Sequence, residues 1–258
     1  MLLRDARGRE FAPLGDGPLR LVSLVPSTTE TLFVLGRGAD LVGYTRFCVH
    51  PEGEVTSEKW IGGTKNPKIE CIVELRPDRV LANREENRLE DVDVLEAAGI
   101  PVWVAEPRTV TDAIADLRAM STLLGRHEQG EALALRLEQA LAEARAHAPT
   151  EPRTYAYLIW RDPWLVAGQE TFIADLLAQG GGHNPFPGRY PEVTLDELRN
   201  MERVLLASEP FPFAEQHREE LLAAGFAPKQ VRLVDGERLS WHGVRLLHGL
   251  PYLREALQ

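Results

Sequence analysis

The stretch that decides the fold is residues 126–148, RHEQGEALALRLEQALAEARAHA. After Gly130 it holds no Gly or Pro, and Leu133, Leu137, Ala140, Leu141 and Ala144 recur at the spacing of one buried helical stripe. One helix of about 23 residues, rising 1.5 Å each, spans roughly 33 Å, the width of a small domain. Strand-like and helix-like segments alternate on both sides of it. A rod so placed predicts two lobes held at a fixed separation, with a ligand in the cleft between them.

Upstream of the rod, residues 19–25 are an almost continuous apolar run that ends at Pro26. Ser27-Thr28-Thr29-Glu30 follows as a Ser-x-x-Glu capping box, and Gly36 stops the helix it opens. Strands are predicted at 41–44, 79–82 and 101–105, and helices at 68–75, 87–98 and 109–124, the last two ended by Gly99 and Gly125. Residues 46–67 are long, polar and broken by Pro51, Gly53, Gly62, Gly63 and Pro67, which suits a binding loop or lid. Downstream, strands are predicted at 154–159, 204–207 and 231–234, and helices at 170–178, 194–200, 214–224 and 244–257. Thr194 caps the second of these helices, with Glu197 at the capping-box position. The pattern predicts an α/β protein of two lobes, residues 1–125 and 149–258, each a small, mostly parallel sheet flanked by helices. Residues 126–148 join them as a single long, rigid backbone helix.

The chain has 258 residues, 44% of them hydrophobic and 26% charged, an ordinary globular composition. Its net charge of −10 argues against coating nucleic acid or an anionic membrane, which needs Lys and Arg for the phosphates. No window approaches 18 uncharged apolar residues, so no spanning helix is expected. Residues 1–9 are polar and carry neither an apolar core nor a small-residue cleavage site. That predicts a cytoplasmic protein as written, or a periplasmic or cell-surface one if a leader was removed. Cys48 and Cys71 do not make a disulfide framework; two reduced, half-buried thiols are expected, with a single bridge as the alternative. The protein is expected to be a monomer.

In parallel sheets ligands gather at the carboxyl ends of the strands. Here those ends read Asn83-Arg84-Glu85-Glu86-Asn87-Arg88, Trp160-Arg161-Asp162-Pro163-Trp164 and Ser208-Glu209-Pro210-Phe211-Pro212-Phe213. Tyr44 ends another strand, and the long loop after it adds Arg46, Phe47, His50 and Trp60. The turn before Thr194 adds His183, Asn184, Phe186, Arg189 and Tyr190, and the loop before the last helix adds Trp241 and His242. Aromatic faces with Arg forks suit a flat or large organic ligand bearing polar or anionic groups. Each cluster also has a structural reading: a helix-start carboxylate pair at Glu85 and Glu86, an Arg161–Asp162 ion pair, loop anchors at Phe211 and Phe213.

Catalytic motifs are missing. The sequence holds no Gly-x-Ser-x-Gly elbow, no Walker loop, no Gly-x-Gly-x-x-Gly after the first strand and no His-Glu-x-x-His or paired-Cys metal motif. Glu85 with Glu86, or Asp162 with His183, can do acid–base chemistry, but nothing in their spacing demands it. No enzyme activity, resident cofactor or metal is expected.

Several segments carry a family likeness. They are residues 21–32 (LVSLVPSTTETL), Val42-Gly43, Gly62-Gly63, Ile69-Glu70, Leu75-Arg76-Pro77-Asp78, residues 95–102 (LEAAGIPV), residues 180–184 (GGGHN) and residues 193–198. From about Arg4 onward the chain resembles the helical-backbone substrate-binding proteins of ABC importers, which serve cobalamin, haem and iron–siderophore complexes. Among the subgroups it is most similar to the cobalamin binders. The resemblance implies a non-catalytic receptor that holds a cobalamin-like or other metal-chelate ligand in a shallow cleft, with small hinge motion. It also implies an ABC permease as partner, docked through Glu70 and Glu197. The walls would come from Tyr44, Trp60, Trp160 and Trp241, and the polar clamps from Arg46, Arg84, Glu85, Arg161 and Arg189. The chain departs from the cobalamin binders at its polar Asn83–Asn87 strand end and in lacking a secretory signal. The alternatives are a cytosolic sensor or carrier of a small polar metabolite using the same cleft, and an enzyme using Glu85, Asp162 and His183.

Overall fold

The computed structural model describes residues 2–258; Met1, the first residue of the expected first lobe, lies outside them. Packing divides the chain into two compact units. The first takes the residues up to Pro107 with Asp112–Leu135 and His242–Val244, and the second takes Arg108–Thr111, Arg136–Trp241 and Arg245–Gln258.

The first unit opens with a small antiparallel pair, β1 (Leu3–Arg4) and β2 (Glu10–Phe11). Then come β3 (Leu21–Ser23), α1 (Pro26–Val34), β4 (Leu41–Tyr44), α2 (Ile69–Leu75), β5 (Arg79–Asn83), α3 (Leu89–Ala97), β6 (Val102–Ala105) and most of α4 (Val110–Leu123). The sheet order is β4-β3-β5-β6, and every pairing is parallel. Parallel neighbours need crossover connections, which α1, α2 and α3 supply. One core face of the sheet is Val22, Leu24, Val80, Val102 and Val104, packed with Ile72, Val92 and Leu95 of α2 and α3.

The start of α1 corrects the sequence reading. Proline fits the first helical position, where its fixed φ is pre-set and its missing N–H is not needed. The helix therefore begins at Pro26 with Val25 as N-cap and no side-chain cap. Ser27 falls inside the first turn, and the expected Ser27–Glu30 capping box does not form. The far end behaves as expected. Gly36 takes φ +73° and lets the Arg37 N–H reach back to the Leu32 carbonyl at 2.8 Å.

α5 (His127–Ala146) is one unbroken helix of 20 residues, about 30 Å long. Its residues pass from the first unit to the second between Leu135 and Arg136. Leu133, Leu137 and Leu141 are buried along it.

The second unit holds β7 (Arg153–Trp160), β8 (Leu165–Val166), α6 (Phe172–Gln179), β9 (Gly182–His183), α7 (Leu195–Arg199), β10 (Arg203–Ala207), α8 (Glu215–Ala223), β11 (Val231–Val234), α9 (Gly236–Ser240) and α10 (Leu246–Leu257). The final helix thus starts two residues later than expected, after a short turn. The sheet order is β11-β10-β7-β8, with β9 on the start of β7. All pairings are parallel except the β7–β8 reversal. Ala156, Leu158, Val204, Leu206 and Val231 form its core with Leu198, Leu221 and Phe226. Both cysteines are free thiols, Cys48 buried and Cys71 exposed.

Candidate functional site

In the first unit the strand ends are closed by a polar network. The Asn83–Arg88 segment is an Asn-bracketed turn rather than a simple helix start. The Asn83 N–H donates to Asn87 Oδ1 at 2.8 Å, and the Glu85 N–H donates to Asn83 Oδ1 at 2.7 Å. Asn87 Nδ2 donates to the carbonyls of Leu24 at 3.2 Å and Thr64 at 3.0 Å, tying the turn to β3 and to the long loop. With its oxygen occupied in this way, the Asn83 amide nitrogen donates to His242 Nε2 at 3.0 Å. Nε2 is then the acceptor, which leaves the ring proton on Nδ1. Ser27 Oγ lies 3.4 Å from the same nitrogen. The next residues continue the anchor: the Val244 N–H donates to Thr31 Oγ1 at 3.1 Å. Burial pulls the His242 imidazole down from its ordinary 6.5 to about 4, so it stays neutral at physiological pH.

The aromatic residues of this unit divide. Tyr44 is 1% exposed, and its hydroxyl is held by the Thr56 backbone, accepting from the N–H at 2.6 Å and donating to the carbonyl at 3.1 Å. It belongs to the core and offers no ring face, which corrects its expected place in a wall. Trp60 and Phe47 are each 48% exposed, and Arg46 lies 5.0 Å over the Phe47 ring. Arg84 pairs with Glu106 at 3.3 Å, and Glu85 is exposed with its carbonyl accepting from Lys65 Nζ at 2.6 Å. Glu70 is exposed in the first turn of α2.

In the second unit the strand ends carry rings. Trp160, at the end of β7, is 44% exposed and stands edge-on to Phe211 at 5.5 Å. Phe211 lies 4.6 Å from Phe213, which stacks on Trp164 at 6.2 Å and 8°. His217 of α8 closes the group edge-on, 5.3 Å from Phe211 and 5.5 Å from Phe213. Its Nδ1 accepts the Ala214 N–H at 3.0 Å, which orients the ring. Arg161 lies 5.6 Å over Trp164 and pairs with Glu220 at 2.5 Å and Asp162 at 2.8 Å. The sequence separated Phe211 and Phe213 from the Trp160 group; β7 and β10 are neighbours and bring them together.

Trp241 is not part of that exposed surface. It is 8% exposed, and its indole N–H donates to Glu209 at 2.6 Å beside the Ser240 hydroxyl at 2.9 Å. Burial raises the Glu209 carboxyl above its usual range despite these donors. Asp162 and His183 do not meet. His183 pairs with Thr154 at the start of β7, and Asp162 follows its end, about 20 Å along the strand. Arg189 is exposed in a bend, where its carbonyl accepts the Gly168 N–H at 2.7 Å. Glu197 forms the expected capping box of α7. Its carboxylate accepts from the Thr194 N–H and hydroxyl, each at 2.8 Å, and these bonds hold it below the usual carboxylate range.

A family model described as periplasmic binding protein matches residues 21–202. The vitamin B12-binding protein of Photorhabdus laumondii is 26% identical over 229 residues, 87% of this chain and 76% of that protein. The vitamin B12-binding protein of Vibrio campbellii is 26% identical over 76% of this chain and 74% of that one. Among solved structures, the periplasmic heme-binding protein of Roseiflexus sp. RS-1 superposes with a TM-score of 0.80 at 24% identity, covering 94% of this chain and 100% of that one. The periplasmic vitamin B12-binding protein of Vibrio cholerae gives a TM-score of 0.80 at 20% identity, covering 92% and 96%. The family match overturns the cytoplasmic location expected from residues 1–9. The absence of an apolar segment there carries no information about export, because a leader is not part of a mature chain.

Proposed function

We propose, from the premise that this chain belongs to the periplasmic binding protein family, that it is the receptor for a cobalamin-like corrinoid. Members of the family are substrate-binding proteins that serve ABC importers, not enzymes. The reading is carried by Trp160, a large ring left 44% exposed yet braced on Phe211 at the carboxyl end of a parallel sheet. A rigid, half-exposed ring is what a flat macrocycle needs as a wall. Trp60 offers a second exposed face, and Arg46, Arg84, Glu85 and Arg161 supply polar groups for peripheral amides. The 26% identity to two vitamin B12-binding proteins supports the same class. Glu70 and Glu197 are the proposed permease contacts, both exposed acids in the first turn of a helix. The protein acts as a monomer of 28.8 kDa.

Titration with cyanocobalamin, followed by tryptophan quenching and calorimetry, tests the assignment. The expected dissociation constant is micromolar or tighter, about −8 kcal/mol or more favourable. No heat and no quenching at about 100 μM removes the corrinoid. One observation favours haem as a second reading. Tyr190 is 42% exposed, with Arg189 5.9 Å over its ring, and a tyrosine oxygen can serve as axial ligand to haem iron. A Soret shift on adding haemin, lost in Tyr190→Phe, would select it.

A further inference from the structure

We propose that the second unit carries a separate recess for a small organic carboxylate that also bears a hydroxyl or ammonium group. The recess is about 570 Å³ and lies along α6, within the size range of small-molecule sites. Arg108 and Thr109, just before α4, form one wall; Glu170 and Thr171 at the start of α6, His183 of β9, and Arg189 form others. None of the exposed rings at the carboxyl end of β7 lines it.

The chemistry of the walls sets the ligand class. Two guanidiniums on one recess match the planar fork of a carboxylate. The amino end of α6 adds positive potential on the same side. Its cap is ordered, with Thr171 Oγ1 accepting the Ala174 N–H at 3.2 Å. Glu170 and Asp175 share the lining and disfavour a bare anion. Asp175 is fixed there by the Val110 N–H, which donates to it at 2.7 Å. A carboxylate carrying its own donor satisfies both signs of charge at once. Tyr155, fully buried on β7, backs this wall, with Asn184 and Asp175 of the lining beside its hydroxyl.

The test is amide NMR and calorimetric titration of the whole chain with citrate and glutamate, which carry the donor, with succinate, which does not, and with inorganic phosphate, which has no carboxylate. Citrate or glutamate should bind below about 1 mM, with shifts at residues lining the recess, and succinate and phosphate at least tenfold more weakly. Arg108→Gln should weaken binding at least tenfold. Ala178→Glu, at an exposed lining position on α6, should do the same by filling and charging the recess. Quenching by cyanocobalamin should be unchanged in both variants. No binding of citrate or glutamate at about 10 mM overturns the proposal, as does binding in the two variants undiminished from that of the unmodified chain. Equal binding of succinate overturns the donor requirement. The titrations contain no corrinoid, so their failure and that of the corrinoid assignment are read separately.

Discussion

The first unit closes the carboxyl ends of its strands with a buried amide–imidazole network, and the second closes them with a cluster of rings. Both are α/β units with a small, mainly parallel sheet. The first leaves almost no polar atom of Asn83, Asn87 or His242 in contact with solvent, and its exposed aromatics sit apart on the long loop. The second exposes Trp160 at the strand end itself and braces it from beneath. The difference teaches a division of labour: the network fixes backbone, whereas the ring cluster offers apolar surface. A hydrogen-bonded network is rigid but cannot attract a macrocycle, and a ring cluster can do so only if something holds its members at fixed angles.

Removing a ring from the bracing layer gives the largest expected effect. Phe213 is 6% exposed and touches Phe211, Trp164 and His217. Phe213→Ala should cost about 3–5 kcal/mol, seen as a fall in the urea midpoint. A loss under about 1 kcal/mol would mean that the rings are not mutually braced. On the other side of the comparison, His242 is neutral in the fold, with its pKa lowered from 6.5 to about 4. The unfolded chain then binds the extra proton between these values, so this stabilisation is present above pH 6.5 and is lost as pH falls toward 4. The loss is on the order of 3 kcal/mol for the single group. His242→Asn should flatten the stability profile across that window, and an unchanged profile would remove the imidazole as its source. A smaller effect is expected on binding. Trp160→Ala should weaken cyanocobalamin by about 2 kcal/mol, near thirtyfold, while leaving the urea midpoint within error.

Much of the architecture was legible because it depends on local signals. The strand at 79–82, the glycine stops at Gly36, Gly99 and Gly125, and the rod through Leu133, Leu137 and Leu141 all announce themselves within one or two turns of chain. Strands of two residues, such as β1, β2, β8 and β9, are too short to show a period of two. The site was legible only as a list of polar and aromatic loop residues. Which of them are accessible depends on contacts far apart in sequence. Tyr44 and Trp241 are buried because Thr56 and Glu209 capture their polar tips, and Asn83 meets His242 across 159 positions. No spacing rule reaches that far. Arg108 was unremarkable in sequence, and only folding sets it on one recess with Arg189 and α6.

The smallest effect separates two helix starts that look alike in sequence, one in each unit. Ser27-x-x-Glu30 and Thr194-x-x-Glu197 both carry the capping-box pattern. At α7 the box closes, because Thr194 is extended, at φ −94° and ψ 161°, and faces the Glu197 N–H at 3.3 Å. At α1, Pro26 takes the first helical position and pushes Ser27 into the turn, where its hydroxyl reaches only the long 3.4 Å approach to His242. Thr194→Ala should therefore cost about 1 kcal/mol. In a protein of this size that lowers Tm by about 2–4 °C. Ser27→Ala removes no cap and should lower Tm by less than half as much. Equal losses in calorimetry would mean that the Ser27–His242 approach bears real weight, and that the first unit's network extends one residue further into α1 than its geometry indicates.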